Sequence, residues 1–323
     1  MTVAALLSAS YQSAMHPAGP YAAALAHLWW VFAAVCALVW IIVTVLLLAA
    51  TRKGMRRTAP DESEEGVRRS TRLMAFGIGT TAAILLGLLV VSIAAGRAVS
   101  PIGAPVTREI KITGHQWWWQ VQYDDAHADR IAEGANEVHL PVGERVRLVL
   151  TSSDVIHSFW VPNLHGKRDL IPGKTSVFTI EADAPGIYRG QCAEFCGMQH
   201  AHMGLVVIAQ PKEEFDAWLA NERASSVSPV TADQQRGQQV FLTTSCALCH
   251  AIKGTAAGAR TGPDLTHVGS RRTLGAAMIP NNSGNLHGWI VNAQSIKPGT
   301  LMPPNNFDSG DLHALVAYLE SLR

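Results

Sequence analysis

The 323-residue chain holds only five cysteines, too few and too unevenly spread to staple a disulfide scaffold. Charged side chains make up 16% of it, and the formal net charge is +1. That near balance removes the electrostatic case for a nucleic-acid partner. Two stretches, residues 24–50 and 73–95, lack Asp, Glu, Lys and Arg altogether. Both are long enough for a bilayer, which takes roughly 20 apolar residues, and the 48% hydrophobic content agrees with a membrane-attached protein. Apart from His27 near the outer edge, no acidic or basic side chain interrupts them, so the pair itself offers no proton path.

Between the two runs stand Arg52, Lys53, Arg56, Arg57, Arg68, Arg69 and Arg72. An excess of Lys and Arg in a short loop marks the cytoplasmic side, which predicts a two-helix hairpin spanning residues 22–99 with both chain ends outside. No basic region precedes the first run, and the run exceeds an ordinary signal core, so a retained anchor is expected. Residues 1–21 are short and mixed, readable as a leader remnant or a disordered tail. The rest of the chain then lies in the periplasm or an equivalent exterior space.

Residues 100–221 read as an all-β sandwich or barrel with antiparallel strands. Ile110 with Ile112, and Val146, Leu148 and Leu150 set against Arg145 and Arg147, alternate at the strand period. Pro141 with Gly143, Pro172 with Gly173 and Pro185 with Gly186 supply turns. A short amphipathic stretch over residues 213–221 precedes a polar linker at 222–230. Residues 231–323 turn helical: Leu312, Leu315, Val316, Leu319 and Leu322 share one face of a helix that Asp308 or Ser309 caps. Gly237 and Phe241 are expected to pack against Tyr318 and Leu319.

In the β region, Cys192, Glu194, Cys196, His200 and Met203 crowd one short run, with His157 upstream. His157, Cys196, His200 and Met203 already furnish a mononuclear electron-transfer copper. The extra thiolate of Cys192 points to a second copper, and two bridging thiolates let one unpaired electron spread over both metals. A Cys192–Cys196 disulfide and a zinc site with His157 and His200 are the competing readings, and neither uses Met203.

The helical region contains Cys246-Ala-Leu-Cys249-His250, the attachment signal for c-type haem, whose histidine becomes an axial ligand. A redox disulfide needs no such histidine, and no further Cys pair follows to complete a zinc set. Met302, on a proline-stiffened loop, is the expected sixth ligand; Met278 is its rival, though a core role suits it better, and His267 and His287 are weaker ones. The run His115-Gln-Trp117-Trp118-Trp119 sits at a predicted strand start, where alternation puts Trp117 and Trp119 on one face and Trp118 on the other. It reads as a membrane-interface belt or as a patch through which electrons arrive.

Taken together, the hairpin, the Gly-His-Gln-Trp run, the Asp154-Val-Ile-His157-Ser block, Asp169-x-x-Pro172-Gly173, the copper pattern and the haem motif resemble subunit II of a haem-copper cytochrome c oxidase with a cytochrome c domain fused at its C-terminus. The resemblance covers nearly everything after residue 21. It implies a multi-domain membrane protein with a transmembrane hairpin, an all-β cupredoxin-like sandwich and a small all-α cytochrome c domain. It further implies that Cys192 and Cys196 bridge two coppers, that His157 and His200 bind one each, that Met203 is a weak ligand and that Glu194 lends its backbone carbonyl. The Glu194 side chain then reaches an interfacial magnesium, Trp117 receives the incoming electron, and Cys246, Cys249, His250 and Met302 hold haem c. Implied partners are subunit I with haem a and copper B, subunit III, membrane lipid, and soluble cytochrome c or an upstream cytochrome complex as donor. The implied location is the bacterial inner membrane. One departure concerns a glutamate that this family often carries near the start of the second helix, where this chain reads Arg68-Arg69-Ser-Thr-Arg72 with Glu64 and Glu65 a little earlier.

Oxygen reduction needs haem and copper held by several histidines within the membrane, and the apolar segments have no such set. The function expected is therefore an electron-transfer subunit serving a catalytic partner that reduces dioxygen to water. A copper-containing nitric oxide reductase subunit and a stand-alone membrane redox carrier are the alternatives.

Overall fold

The computed structural model describes residues 12–54, 63–99, 105–124 and 131–323; Arg56 and Arg57 of the basic loop lie outside the described residues. These residues form two compact units. One consists of the helices α1 (Pro20–Gly54) and α2 (Glu64–Val99) from residue 23 onward. At about 1.5 Å per residue each outreaches a hydrocarbon core of roughly 30 Å, so both extend past the charge-free runs. Their apolar side chains stay bare, Trp40 at 69% and Phe76 at 75% exposure, a surface suited to lipid and not to water. α2 begins further upstream than its apolar run. Glu64 and Glu65 occupy its first turn, where carboxylates favour the positive end of the helix dipole, and Glu64 pairs with Arg68 at 3.3 Å.

The second unit contains the β-sandwich, the helical domain and residues 12–22. One sheet is ordered β3 (Ala132–Ala135), β2 (Trp118–Tyr123), β1 (Arg108–His115), β5 (Val146–Ser152), β8 (Ser176–Ile180). The other is ordered β4 (Glu137–Pro141), β10 (Gly204–Gln210), β9 (Gly186–Cys192), β6 (His157–Trp160), β7 (Arg168–Leu170). The antiparallel expectation needs correcting in both sheets, since β1 with β5 and β10 with β4 pair in parallel. The second parallel pair follows from a corner at Asn136, whose φ of 63° turns the chain from one sheet into the other. Asn136 ties both sheets together, accepting from the Trp119 and Val206 backbone N–H groups at 2.9 Å each. Ile110, Ile112, Leu148, Leu150, Phe159 and Leu205 fill the space between the sheets.

The opening segment, whose sequence carries no signal, is strapped to this sandwich. Asn163 accepts from Ser13 N–H at 3.0 Å and donates to His16 O at 2.9 Å, while Ala18 N–H donates to Asn163 O at 2.7 Å. At the far end of the sandwich, α3 (Lys212–Arg223) buries Phe215 and Leu219 in the same core.

The helical domain comprises α4 (Ala232–Thr243), α5 (Ser283–Ile296), α6 (Ser309–Ser321) and a short hairpin of β11 (Thr273–Leu274) with β12 (Ile279–Pro280). Thr231 and Gln234 form a capping box on α4. Asp308 caps α6, accepting from Asp311 N–H at 2.8 Å. α4 and α6 cross with Phe241 and Tyr318 edge to face, ring centroids 6.3 Å apart. The linker is pinned to this domain, since Ser226 N–H donates to Lys253 O and Lys253 Nζ donates back to Arg223 O.

Candidate metal centre and haem pocket

Two strand ends bring the distant halves of the metal cluster together. Phe159 in β6 registers with Cys192 in β9, which sets His157 beside the last residue of β9. The chain then loops out and back, and Cys192 N–H donates to Met203 O at 2.8 Å, closing the loop at its base. The two thiols lie 3.7 Å apart. A disulfide needs about 2.05 Å, so the cysteines are free, and each has its own pair of further donors. Cys192 Sγ lies 3.9 Å from His157 Nδ1 and 3.2 Å from Glu194 O. Cys196 Sγ lies 3.6 Å from His200 Nδ1 and 3.8 Å from Met203 Sδ. Two thiols shared between two His-plus-one sets fit a pair of soft metals better than one tetrahedral zinc.

The surroundings prepare these donors. His157 Nε2 donates to Asp154 Oδ1 at 2.7 Å, which leaves Nδ1 free as a ligand. Burial pushes the His157 pKa down, but Cys192 and Asp154 outweigh it and the net shift is upward. The hydrogen bond from Cys196 holds the Cys192 thiol low, and the same contact pushes Cys196 up. Two bare thiolates at this separation repel, so full ionisation of the pair calls for cationic charge between them. Gly114 makes room for the ligand, because a Cβ there would stand 2.8 Å from His157 Cδ2.

Glu194 behaves differently at its two ends. Its backbone carbonyl faces the thiols, while its carboxylate is exposed. Among the described residues no second group of three metal-binding side chains forms beside the one containing His157, Cys192 and Cys196.

In the helical domain, Cys246, Cys249, His250 and Met302 line one cavity of about 270 Å³. Phe241, Leu265, Ile290, Leu315 and Leu319 supply its apolar walls. His250 Nδ1 donates to Pro263 O at 2.7 Å, leaving Nε2 to face a metal, and burial lowers its pKa. A Cβ at Gly262 would come within 2.6 Å of His250 Cε1, so this histidine too is cleared by a glycine. Free thiols, a fixed imidazole, a thioether and apolar walls around an open volume fit a covalently attached haem. The rivals of Met302 are placed elsewhere: Met278, His267 and His287 do not line the cavity.

The tryptophan run departs from the strand reading. β1 ends at His115, and Gln116 and Trp117 form the turn into β2, so strict alternation does not apply. Trp119 is buried in the sandwich and meets His157 edge on at 6.0 Å, and Trp118 stacks on His115 at 4.3 Å. Trp117 does neither. Its Nε1 donates to Cys196 O at 3.0 Å while the residue lines the haem cavity. The aromatic patch is thus covered by the chain's own helical domain.

The family model described as "Cytochrome C oxidase subunit II, periplasmic domain" matches residues 108–210, and the model described as "Cytochrome c" matches residues 234–323. Cytochrome c oxidase subunit 2 of Alkalihalophilus pseudofirmus is 37% identical over 317 residues, covering 96% of this chain and 91% of that protein. Cytochrome c oxidase subunit 2 of Bacillus sp. strain PS3 is 32% identical over 227 residues, covering 66% of this chain and 62% of that protein. A crystal structure of the periplasmic domain of subunit II of cytochrome oxidase from Bradyrhizobium japonicum aligns with TM-score 0.35 and 30% identity, covering 37% of this chain and 96% of that one. With a near full-length relative at this identity, the chain belongs to the cytochrome c oxidase subunit II family, as a membrane-anchored subunit of a haem-copper oxidase with a cytochrome c domain fused behind its copper domain.

Proposed function

We propose that this chain receives electrons at its own haem c, passes them to a dinuclear copper A centre and delivers them to subunit I, where dioxygen is reduced to water. The observation that carries this reading is Trp117, which lines the haem cavity and hydrogen-bonds the carbonyl of Cys196. When bound, the haem and the copper pair supply one-electron carriers. Cys192, Cys196, His157, His200, Met203 and the Glu194 carbonyl would hold the copper pair, with both thiolates shared and Met203 the weak donor. Cys246 and Cys249 would attach the haem, and His250 and Met302 would supply its iron ligands. Asp154 fixes the His157 ring, and Pro263 O fixes the His250 ring, so the ligands keep their orientation as charge arrives and leaves.

The donor is a soluble cytochrome c or an upstream cytochrome complex, and subunit III joins the assembly. The exposed Glu194 carboxylate contributes one ligand to a magnesium ion completed by subunit I. Both chain ends and both metal domains lie on the periplasmic side of the bacterial inner membrane.

The test is a reduced-minus-oxidised spectrum of the complex that co-purifies with the chain from solubilised membranes. An a-type band beside the c-type band is expected. Only b and c bands would favour a nitric oxide reductase or a b-haem oxidase, and c alone would leave a membrane carrier.

A further inference from the structure

The seam between the copper and haem domains holds a lysine where a folded protein seldom keeps one. Lys297, the residue that ends α5, is 2% exposed. No carboxylate pairs with its Nζ among the described residues. Instead it donates to three backbone carbonyls: Trp117 O at 2.7 Å, His202 O at 2.8 Å and Gly275 O at 2.9 Å. A protonated ammonium has three N–H groups and satisfies all three acceptors; a neutral amine has two and cannot. The carbonyls come from the turn carrying Trp117, from the copper loop and from the haem domain, so one side chain joins three segments.

A buried glutamate makes the reverse connection. Glu137, the first residue of β4 in the copper domain, is 9% exposed. Its Oε1 accepts from Arg272 N–H at 2.6 Å and Thr273 N–H at 3.2 Å in the haem domain. Next to them, Gly204 N–H donates to Ala276 O at 3.0 Å. Residues 272–276 are therefore stitched to the copper domain by Glu137 and β10, while Lys297 links Gly275 to Trp117 and His202 across the seam. Burial pulls Lys297 down to about 7 and pushes Glu137 up to about 7. Both groups are costly to bury, and the docked arrangement supplies two of the three acceptors of Lys297, Trp117 O and His202 O, and both backbone donors to Glu137.

The latch also reaches the residues that face the two centres. Gln199 Nε2 of the copper loop donates to Pro298 O at 2.7 Å. A Cβ on Gly299 would meet Trp117 at 3.5 Å. Gln294 then holds Met302 O at 2.8 Å. The segment from Lys297 to Met302 thus runs from the copper loop, past Trp117, to the haem cavity.

We propose that Lys297 and Glu137 form a reciprocal interdomain latch that holds the haem domain in one pose against the copper domain, which makes both of them positioning residues for electron transfer through Trp117. The inference rests on the functional reading above. The linker at residues 222–230 is the covalent connection between the domains, and loss of either latch residue would let the haem domain sample undocked poses.

The experiment uses the intact membrane oxidase with Lys297→Met and, separately, Glu137→Ala, which alters the opposite side of the seam and serves alone if the lysine variant fails to assemble. Haem c is reduced by a flash-excited ruthenium polypyridyl complex, and copper reduction is followed optically. Transfer scales with the docked fraction, so a slowing of at least about tenfold is expected, beyond any change that the measured haem and copper potentials account for. Dipolar electron-spin measurements between the oxidised centres should show a broadened distance distribution. A wild-type rate and a wild-type distribution in an assembled variant would overturn the latch. If the unaltered protein showed no haem-to-copper transfer, the functional reading would fail instead, and the distance distribution alone would decide the latch.

Discussion

The copper and haem domains reach their ligand geometries in opposite ways. In the copper domain the donors already touch: thiols 3.7 Å apart, each with an imidazole nitrogen within 3.9 Å, fixed at strand ends and closed by backbone hydrogen bonds. In the haem domain the proposed ligands surround an open cavity of about 270 Å³, beside a core in which Phe241, Val316 and Tyr318 are buried. A β-sandwich can present a site as an outgrowth of a core that is complete without metal. The small helical domain instead leaves an apolar cavity open beside its core, and a group bound there would cover those walls.

The strongest way to break that contrast is to prevent haem attachment with Cys246→Ala and Cys249→Ala together. Without haem, apolar walls such as Phe241, Leu265 and Leu319 would face an open cavity of about 270 Å³, and leaving that surface to water is unfavourable. Residues 231–323 should become sensitive to limited proteolysis while the copper domain stays resistant; equal resistance of both would refute the difference. Met302→Ala comes next, with an expected fall in haem potential on the order of 100 mV and new carbon monoxide binding in the reduced spectrum. An unchanged potential would remove Met302 from the ligand set.

Two smaller changes sharpen the copper side. Gly114→Ala should destabilise the copper domain by about 1–3 kcal/mol through overpacking against His157, read as a lowered Tm of that domain alone. Asp154→Asn keeps the size but weakens the acceptor for His157 Nε2, so copper affinity measured by competition with a chelator should fall about tenfold or somewhat more. Unaltered affinity would show that Asp154 does not orient the ligand.

Legibility in the sequence followed the distance over which each feature is made. The side chains proposed as copper donors from Cys192 to Met203 sit in one loop, and the thiols and His250 proposed to hold haem in one turn, so residue type and spacing were enough to single out groups that the structure brings together. Ile110, Ile112, Leu148 and Leu150 announced strands by alternation. Their parallel pairings did not show, because which strands become neighbours depends on how the chain crosses between sheets. Trp117 was found but misplaced, since a two-residue turn between β1 and β2 resets the alternation. Lys297 gave no signal at all. It meets Trp117 across 180 positions, and a lone lysine after an amphipathic helix reads as solvated surface until the opposing carbonyls are seen. Residues 12–21, read as part of a leader remnant or disordered tail, dock on the sandwich unseen for the same reason, their partners at Asn163 and Asp183 lying far along the chain.

The most direct test of transfer from haem to copper through Trp117 is flash reduction of haem c in the intact oxidase, comparing the unaltered protein with Trp117→Leu. Copper should be reduced in step with haem oxidation, and the variant should be slower by at least about tenfold, since it loses both the aromatic wall of the cavity and the hydrogen bond to Cys196. Copper reduction that precedes haem oxidation, or an unchanged rate in Trp117→Leu, would contradict it.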